Sequence, residues 1–182
     1  EKRQLDSLLP KSAKPKVMVC PGSMWKNKQL PKQVMKAFLM KLQPHLNCHF
    51  IFVFGSLQEK EYVEELARQF PNDATVLDKL SLSCLQNLMD KMQLVVAMDS
   101  LPLHLAGTTK TKTFSFFGPS SSLKYKPIGN QHQAFQGTCP YERSIIRRCP
   151  ILRTCKTGAC LREVDADILF NAFLSYKDSY RV

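Results

Sequence analysis

Val95-Val96-Ala97-Met98-Asp99-Ser100-Leu101-Pro102-Leu103-His104-Leu105-Ala106-Gly107 decides the fold of this chain. An apolar run ends in two short polar residues, and a proline follows almost at once. The pattern predicts a buried strand, a tight turn and a helix that begins without an intervening loop. Asp99 and Ser100 stand where N-cap residues belong, and Pro102 suits a first helical turn. Such a junction leaves backbone N–H groups and the positive end of a helix dipole at the carboxyl edge of a sheet. Ligand phosphates are held at such places. His104 falls roughly one turn into the helix and is expected to point back toward the same opening.

Working outward, the flanking segments repeat the alternation. Val17 to Cys20 is an apolar run stopped by Pro21-Gly22-Ser23, and Leu30-Pro31 opens a helix with Val34, Ala37, Phe38 and Leu42 at helical spacing. His49 to Phe54 is the strongest strand, closed by Gly55-Ser56. A helix is expected over Glu59–Phe70, with Val63, Leu66, Ala67 and Phe70 on one face. Ala74 to Leu77 is a third strand, and a helix capped by Ser81 or Ser83 runs to about Met92. Leu94 to Met98 is the fourth strand, and Lys112 to Phe117 the fifth, ended by Gly118-Pro119-Ser120. Strands alternating with helices, and apolar throughout, call for a parallel sheet with helices on both faces. The polar turns then collect on one edge, where ligands of such sheets sit. Tyr125 to Leu161, rich in Cys, Pro and Arg, reads as an irregular excursion. Asp165 to Tyr176 reads as a returning helix with Ile168, Leu169, Ala172 and Phe173 facing in.

The 182 residues suit one sizeable domain, here 17–182, preceded by a linker or arm over 1–16 that carries Pro10, Pro15 and five basic residues. Beginning without Met, the sequence is read as a segment of a longer protein. It has no apolar run of about 18 residues and no signal-peptide centre, so no membrane span is expected. The net charge is +11, and from Lys110 to Arg162 ten basic residues face only Glu142. That surplus favours phosphates or a membrane face. Its aromatics are mainly Phe within apolar runs, which argues against a base-stacking nucleic-acid binder.

Several chemistries lack their signatures. There is no Gly-x-Gly-x-x-Gly, no Walker-type loop, no His-Glu-x-x-His and no Gly-x-Ser-x-Gly. Cys20, Cys48 and Cys84 lie in or beside apolar segments and read as plain buried thiols. Cys139, Cys149, Cys155 and Cys160 fall within 22 residues, but only the last two approach the close spacing of zinc knuckles. Disulfides or packed free thiols are the readings preferred over metal. Lys28 stands in the loop before Pro31, able to neutralise a diphosphate or simply to be solvated. Glu59 is placed to accept from a ribose diol or to favour its own helix start.

Taken in order, Pro21-Gly22-Ser23 with Lys28, Phe54-Gly55 with Glu59, Leu80-Ser81-Leu82, Asp99-Ser100-x-x-x-His104-Leu105-Ala106 and Phe117-Gly118-Pro119-Ser120 resemble the C-terminal half of the bacterial heptosyltransferases of lipopolysaccharide assembly, glycosyltransferase family nine. The resemblance implies a GT-B enzyme, in which two Rossmann-like domains face each other across a cleft and this one binds the nucleotide-sugar donor, generally ADP-heptose. It places Ser23 and Lys28 at the diphosphate and sugar phosphate, Glu59 at the ribose, and Leu80 near the adenine. Asp99 would meet the sugar hydroxyls, while the backbone of Ser100 and Leu101, with His104, would face the phosphates. It implies no metal or cofactor, the donor being a substrate. The general base and the lipopolysaccharide-core acceptor would belong to a missing N-terminal domain, so this segment alone is expected to bind without turnover. The location implied is the cytoplasm, peripheral at the inner membrane. Leu101 replaces the small residue usual in the family, and Ser23-Met24 replaces its usual Thr-Thr pair. These departures leave open a different nucleotide sugar, or a degenerate, non-catalytic binding domain.

Overall fold

The computed structural model describes residues 6–176. Residues 1–5 of the expected arm and 177–182 of the expected domain lie outside the described residues. Strands β1 (Lys16–Cys20), β2 (His49–Phe52), β3 (Ala74–Val76), β4 (Leu94–Met98), β5 (Lys112–Phe117) and β6 (His132–Gln136) form one sheet in the order β3-β2-β1-β4-β5-β6. Every pairing is parallel. The helices are α1 (Lys32–Leu46), α2 (Leu57–Ala67), α3 (Leu82–Met89), α4 (Leu101–Ala106), α5 (Ser122–Tyr125), α6 (Ala159–Arg162) and α7 (Ala166–Leu174).

Strand side chains point alternately to opposite faces, and here both faces are apolar. Val17, Val19, Phe50, Phe52, Leu94, Val96, Met98, Phe114 and Phe116 face one core, closed by α1, α2 and α7. Met18, Cys20, Ile51, Val53, Val95, Ala97 and Phe117 face the other, closed by α3 and α4. Leu8 and Leu9, from the segment before β1, also pack against this second core. A sheet covered on both faces has no need of a polar alternation, and the strands accordingly read as continuous apolar runs.

Local chemistry sets the helix starts. The Ser56 hydroxyl accepts from the Glu59 amide at the head of α2, and the Ser81 hydroxyl accepts from the Cys84 amide at the head of α3. Either is the usual N-cap bond.

Three expectations change. The 125–161 excursion contains β6, a sixth parallel strand on the sheet edge. Its sequence, His-Gln-Ala-Phe-Gln, lacks an apolar run because an edge strand is only partly covered. Ile168 is 55% exposed and does not face inward; α7 buries Leu169 and Phe173, four residues apart, which places Ile168 off the packed stripe. Cys84 is half-buried, whereas Cys20 and Cys48 are buried as expected. Burial pushes the Cys20 thiol well above its ordinary range and Cys48 up to about 12.

Phe114 anchors the first core, with ring centroids 5.9 Å from Phe38, 5.4 Å from Phe116 and 5.3 Å from Phe173. Phe114→Ala should therefore cost about 3–5 kcal/mol in a urea-unfolding measurement. Two buried histidines set a pH dependence. His49 meets the Thr75 hydroxyl at 2.9 Å and His132 the Thr113 hydroxyl at 3.1 Å, while His49 Nδ1 and His132 Nε2 have no hydrogen-bond partner among the described residues. Burial lowers the pKa of each below the ordinary histidine value; Lys126 lowers His132 further, and Asp73 partly offsets the effect at His49. The unfolded chain then binds protons that the folded one refuses. The contribution is fully present above the ordinary histidine pKa of about 6.5 and is lost as pH falls below it. The urea midpoint should decline across that window, with a shallower slope in His132→Gln.

Candidate functional site

The strand order reverses between β1 and β4. After β1 the chain turns to the first core through α1, and after β4 it turns to the second through α4. The loops leaving these two adjacent strands therefore part, and a crevice opens at the carboxyl edge between them, the usual ligand position of an open parallel sheet.

A buried ion pair joins the two lips. Lys28 Nζ donates to Asp99 Oδ2 at 2.5 Å, with the two side chains only 10% and 6% exposed. Lys28 is carried there by a 3-10 turn, Lys26–Lys28, whose Lys28 amide donates to the Trp25 carbonyl at 2.8 Å. The Gln29 side chain donates to the carbonyl of Ser23, itself buried, and closes the loop on itself. Asp99 continues the β4 ladder, its amide donating to the Phe116 carbonyl at 3.2 Å. The other oxygen of its carboxylate, Oδ1, lies 3.9 Å from Nε2 of His104, an ion pair when that half-exposed ring is protonated. Lys28, Asp99 and His104, expected separately, thus form one cluster.

The capping expected of Asp99 and Ser100 is not observed. Ser100 holds the N-cap position of α4, but its hydroxyl donates back to the Met98 carbonyl at 3.3 Å and caps no amide. Asp99 is drawn instead to Lys28, where its buried carboxylate meets a full opposite charge. No side chain caps the head of α4, where Pro102 carries no amide N–H and the Leu103 amide donates to the Ser100 carbonyl at 3.1 Å.

Glu59 stands in the first turn of α2, its carboxylate against the turns after β1 and β2. Its Oε2 accepts from the Gly55 amide at 2.7 Å, and a Cβ placed on Gly22 would stand 2.1 Å from its Oε1. Only glycine at position 22 leaves room for that carboxylate, which so bridges the turns after β1 and β2. Leu80, after β3, is half-buried against the second core. Leu101 is 59% exposed, so its side chain is not part of the packed wall.

Sequence reasoning missed a brace behind the loop. Asn27 is buried, and its amide nitrogen donates to the carbonyls of Leu152 and Cys155, both at 2.8 Å. The Arg153 guanidinium lies 4.5 Å from the centre of the Trp25 ring, within cation–π range. The cysteine-rich excursion therefore returns to hold the Lys28 loop in place. Its one legible signal was Trp25, the sole tryptophan, in an otherwise polar loop. Gln136 of β6 does the same for the turn after β5, accepting from the Ser122 amide at 2.8 Å and donating to the Gly118 carbonyl at 3.1 Å. Among the described residues no group of three or more His, Cys, Asp or Glu is arranged to hold a metal ion, and no helix is long and apolar enough to cross a membrane.

The model of Glycosyltransferase family 9 (heptosyltransferase) matches residues 1–152. No curated protein matches the sequence significantly. Among solved structures, the chain is similar to E. coli heptosyltransferase WaaC with ADP, at a TM-score of 0.73 and 16% identity, over 96% of this chain and 48% of that one. E. coli ADP-heptose lps heptosyltransferase II gives 0.73 and 15%, over 96% and 50%. The family 9 glycosyltransferase of Veillonella parvula gives 0.74 and 18%, over 96% and 49%. At such identities the likeness is one of fold. The chain spans about half the length of each of these proteins.

Removing one partner of the buried pair strands the other charge. Asp99→Ala should lose about 3–5 kcal/mol of folding stability, whereas the double variant Lys28→Met, Asp99→Leu should recover most of that loss. Denaturant titration of the single and double variants gives the comparison.

Proposed function

The chain belongs to glycosyltransferase family 9, the heptosyltransferase family, and from that premise we propose that it is the C-terminal, donor-binding half of a GT-B glycosyltransferase. Its ligand would be an ADP-sugar, ADP-heptose in the first instance. The observation that carries this reading is the buried Lys28–Asp99 pair, with His104 beside it, at the crevice where the strand order reverses. The WaaC structure of the same fold is one with ADP.

In this reading each group has a task. Lys28 turns from Asp99 toward the diphosphate, and with His104 and the Ser100 and Leu101 amides it stabilises charge building on the departing ADP. Asp99, relieved of its cation, accepts from sugar hydroxyls. Glu59, anchored on the Gly55 amide, accepts from the ribose diol. Ser23 adds a polar group at the diphosphate, the Ser100–Leu101 backbone lies against it, and Leu80 offers apolar area toward the base. These side chains need no metal for the leaving group. The general base, and an acceptor of the lipopolysaccharide-core class, belong to a second domain facing this one. The protein would work in the cytoplasm and lie peripherally on the inner membrane. There the basic 110–162 segment, with Leu123, Ile128 and Ile146 each more than 70% exposed, favours an anionic lipid face.

A second reading keeps the fold but changes the donor, and Leu101 favours it. A side chain at the first turn of α4 narrows the approach of phosphates to the backbone. A third is a non-catalytic domain that binds partners through its basic surface.

Calorimetric titration with ADP and ADP-heptose, beside UDP and GDP, separates these readings. The donor-half reading expects the adenine nucleotides to bind preferentially. Lys28→Ala, checked for folding by circular dichroism, should then weaken binding roughly 10- to 100-fold, the worth of one charge-assisted hydrogen bond. Preference for UDP or GDP would replace the donor. Binding restored only by Leu101→Gly would mean that this side chain closes the site, and no binding even then, with salt-sensitive partner binding, would favour the third reading.

A further inference from the structure

We infer that Cys155 and Cys160 are a redox modification site, oxidised to a disulfide that shifts the loop carrying Lys28. Cys139, Cys149, Cys155 and Cys160 all line one small cavity of about 20 Å³, beside Asn27 and Gly158. All four are free thiols. The cavity therefore gathers four nucleophilic sulfurs that the donor-binding reading leaves without a task.

Two of them share a single residue. The Gly158 amide donates to Cys155 Sγ at 3.4 Å, and Cys160 Sγ donates to the Gly158 carbonyl at 3.9 Å. The pair also divides into two roles. Cys155 is half-exposed, and the Gly158 amide, with the Thr157 hydroxyl 3.7 Å away, lowers its pKa and favours the thiolate. Cys160 is buried, and desolvation with the neighbouring thiols pushes it up to about 11. An accessible thiol whose thiolate is favoured, beside a protected second thiol, is the arrangement that oxidises in two steps. With a hydroperoxide as oxidant, the Cys155 thiolate attacks one peroxide oxygen. The O–O bond breaks, and after protonation the leaving oxygen departs as water or alcohol, giving a sulfenic acid. Cys160, losing its proton, then attacks Cys155 Sγ. The S–O bond breaks, water leaves and the disulfide forms; two thiols are oxidised and one peroxide is reduced.

The bond would be felt at Lys28. Asn27 donates to the Cys155 carbonyl, and a Cβ on Gly158 would lie 2.7 Å from Asn27 Oδ1, so the Cys155–Cys160 turn is packed directly on the residue preceding Lys28. Gly158 has φ +59°, a conformation that an L side chain rarely adopts and that fixes the turn between the two thiols. Trp25, on the same loop, rests against Arg153 of the same segment. Closing the disulfide moves this turn and, through Asn27 and Arg153, the Lys28 loop.

The effect on ligand affinity rests on the donor-binding reading; the disulfide and the loop movement do not. The test treats the reduced 182-residue chain with hydrogen peroxide and follows three quantities. These are the disulfide by non-reducing peptide mapping, the emission of the single tryptophan, and ADP binding by calorimetry. Expected are a Cys155–Cys160 bond, an emission change reversed by a thiol reductant, and ADP affinity lowered about tenfold. Cys160→Ser should abolish the bond and the emission change while leaving ADP binding by the reduced protein as it was. Pairing of Cys155 with Cys139 or Cys149, over-oxidation without a disulfide, or a disulfide with unchanged emission would each overturn the proposal. ADP bound by neither form would overturn the donor reading, leaving mapping and emission to decide the switch.

Discussion

The reversal of strand order between β1 and β4 is the constraint on which the rest depends. Two adjacent strands send their chains to opposite faces of one sheet, so their following loops part at the carboxyl edge. The gap is a consequence of topology, and it must be lined by whatever the two loops supply. Here they supply a cation and an anion, Lys28 and Asp99, which meet at 2.5 Å. Burying both charges is costly, and an apolar pair of similar volume would serve stability as well or better. In the proposed function the pair is a latent binding element, a neutralised cation held where an anion would displace its partner.

Support for that arrangement is unevenly distributed. The sheet beneath it is rigid, with both faces covered and its central strands buried along their length. The Lys28 loop above it is held by side chains from a distant segment: Asn27 on two carbonyls near Cys155, and Trp25 under Arg153. Contacts of this kind are few and directional. They tie the position of the Lys28 loop to that of the 152–160 segment.

Glu59 and Gly22 illustrate a second economy. One carboxylate accepts the Gly55 amide and lies against the backbone of the neighbouring turn. Its position links the turns after β1 and β2.

The amino-acid sequence by itself determined the class of the fold. Continuous apolar strands such as Val95–Met98, alternating with helices of regular apolar spacing, admit little besides a parallel sheet covered on both faces. It also marked the carboxyl-edge turns, because short polar residues between strand and helix such as Asp99 and Ser100 stand out locally, while Lys28 and Glu59 are singled out through the ordered resemblance to the family. Tertiary structure alone decided three things. It made β6 a strand, since an edge strand owes its place to its neighbour's hydrogen bonds and not to an apolar run. It turned Asp99 away from the helix end toward Lys28, 71 residues distant in sequence. It also brought the 152–160 segment onto Asn27 and Trp25. Periodicity reports what one segment buries, whereas pairings between distant segments depend on where each buried segment comes to rest.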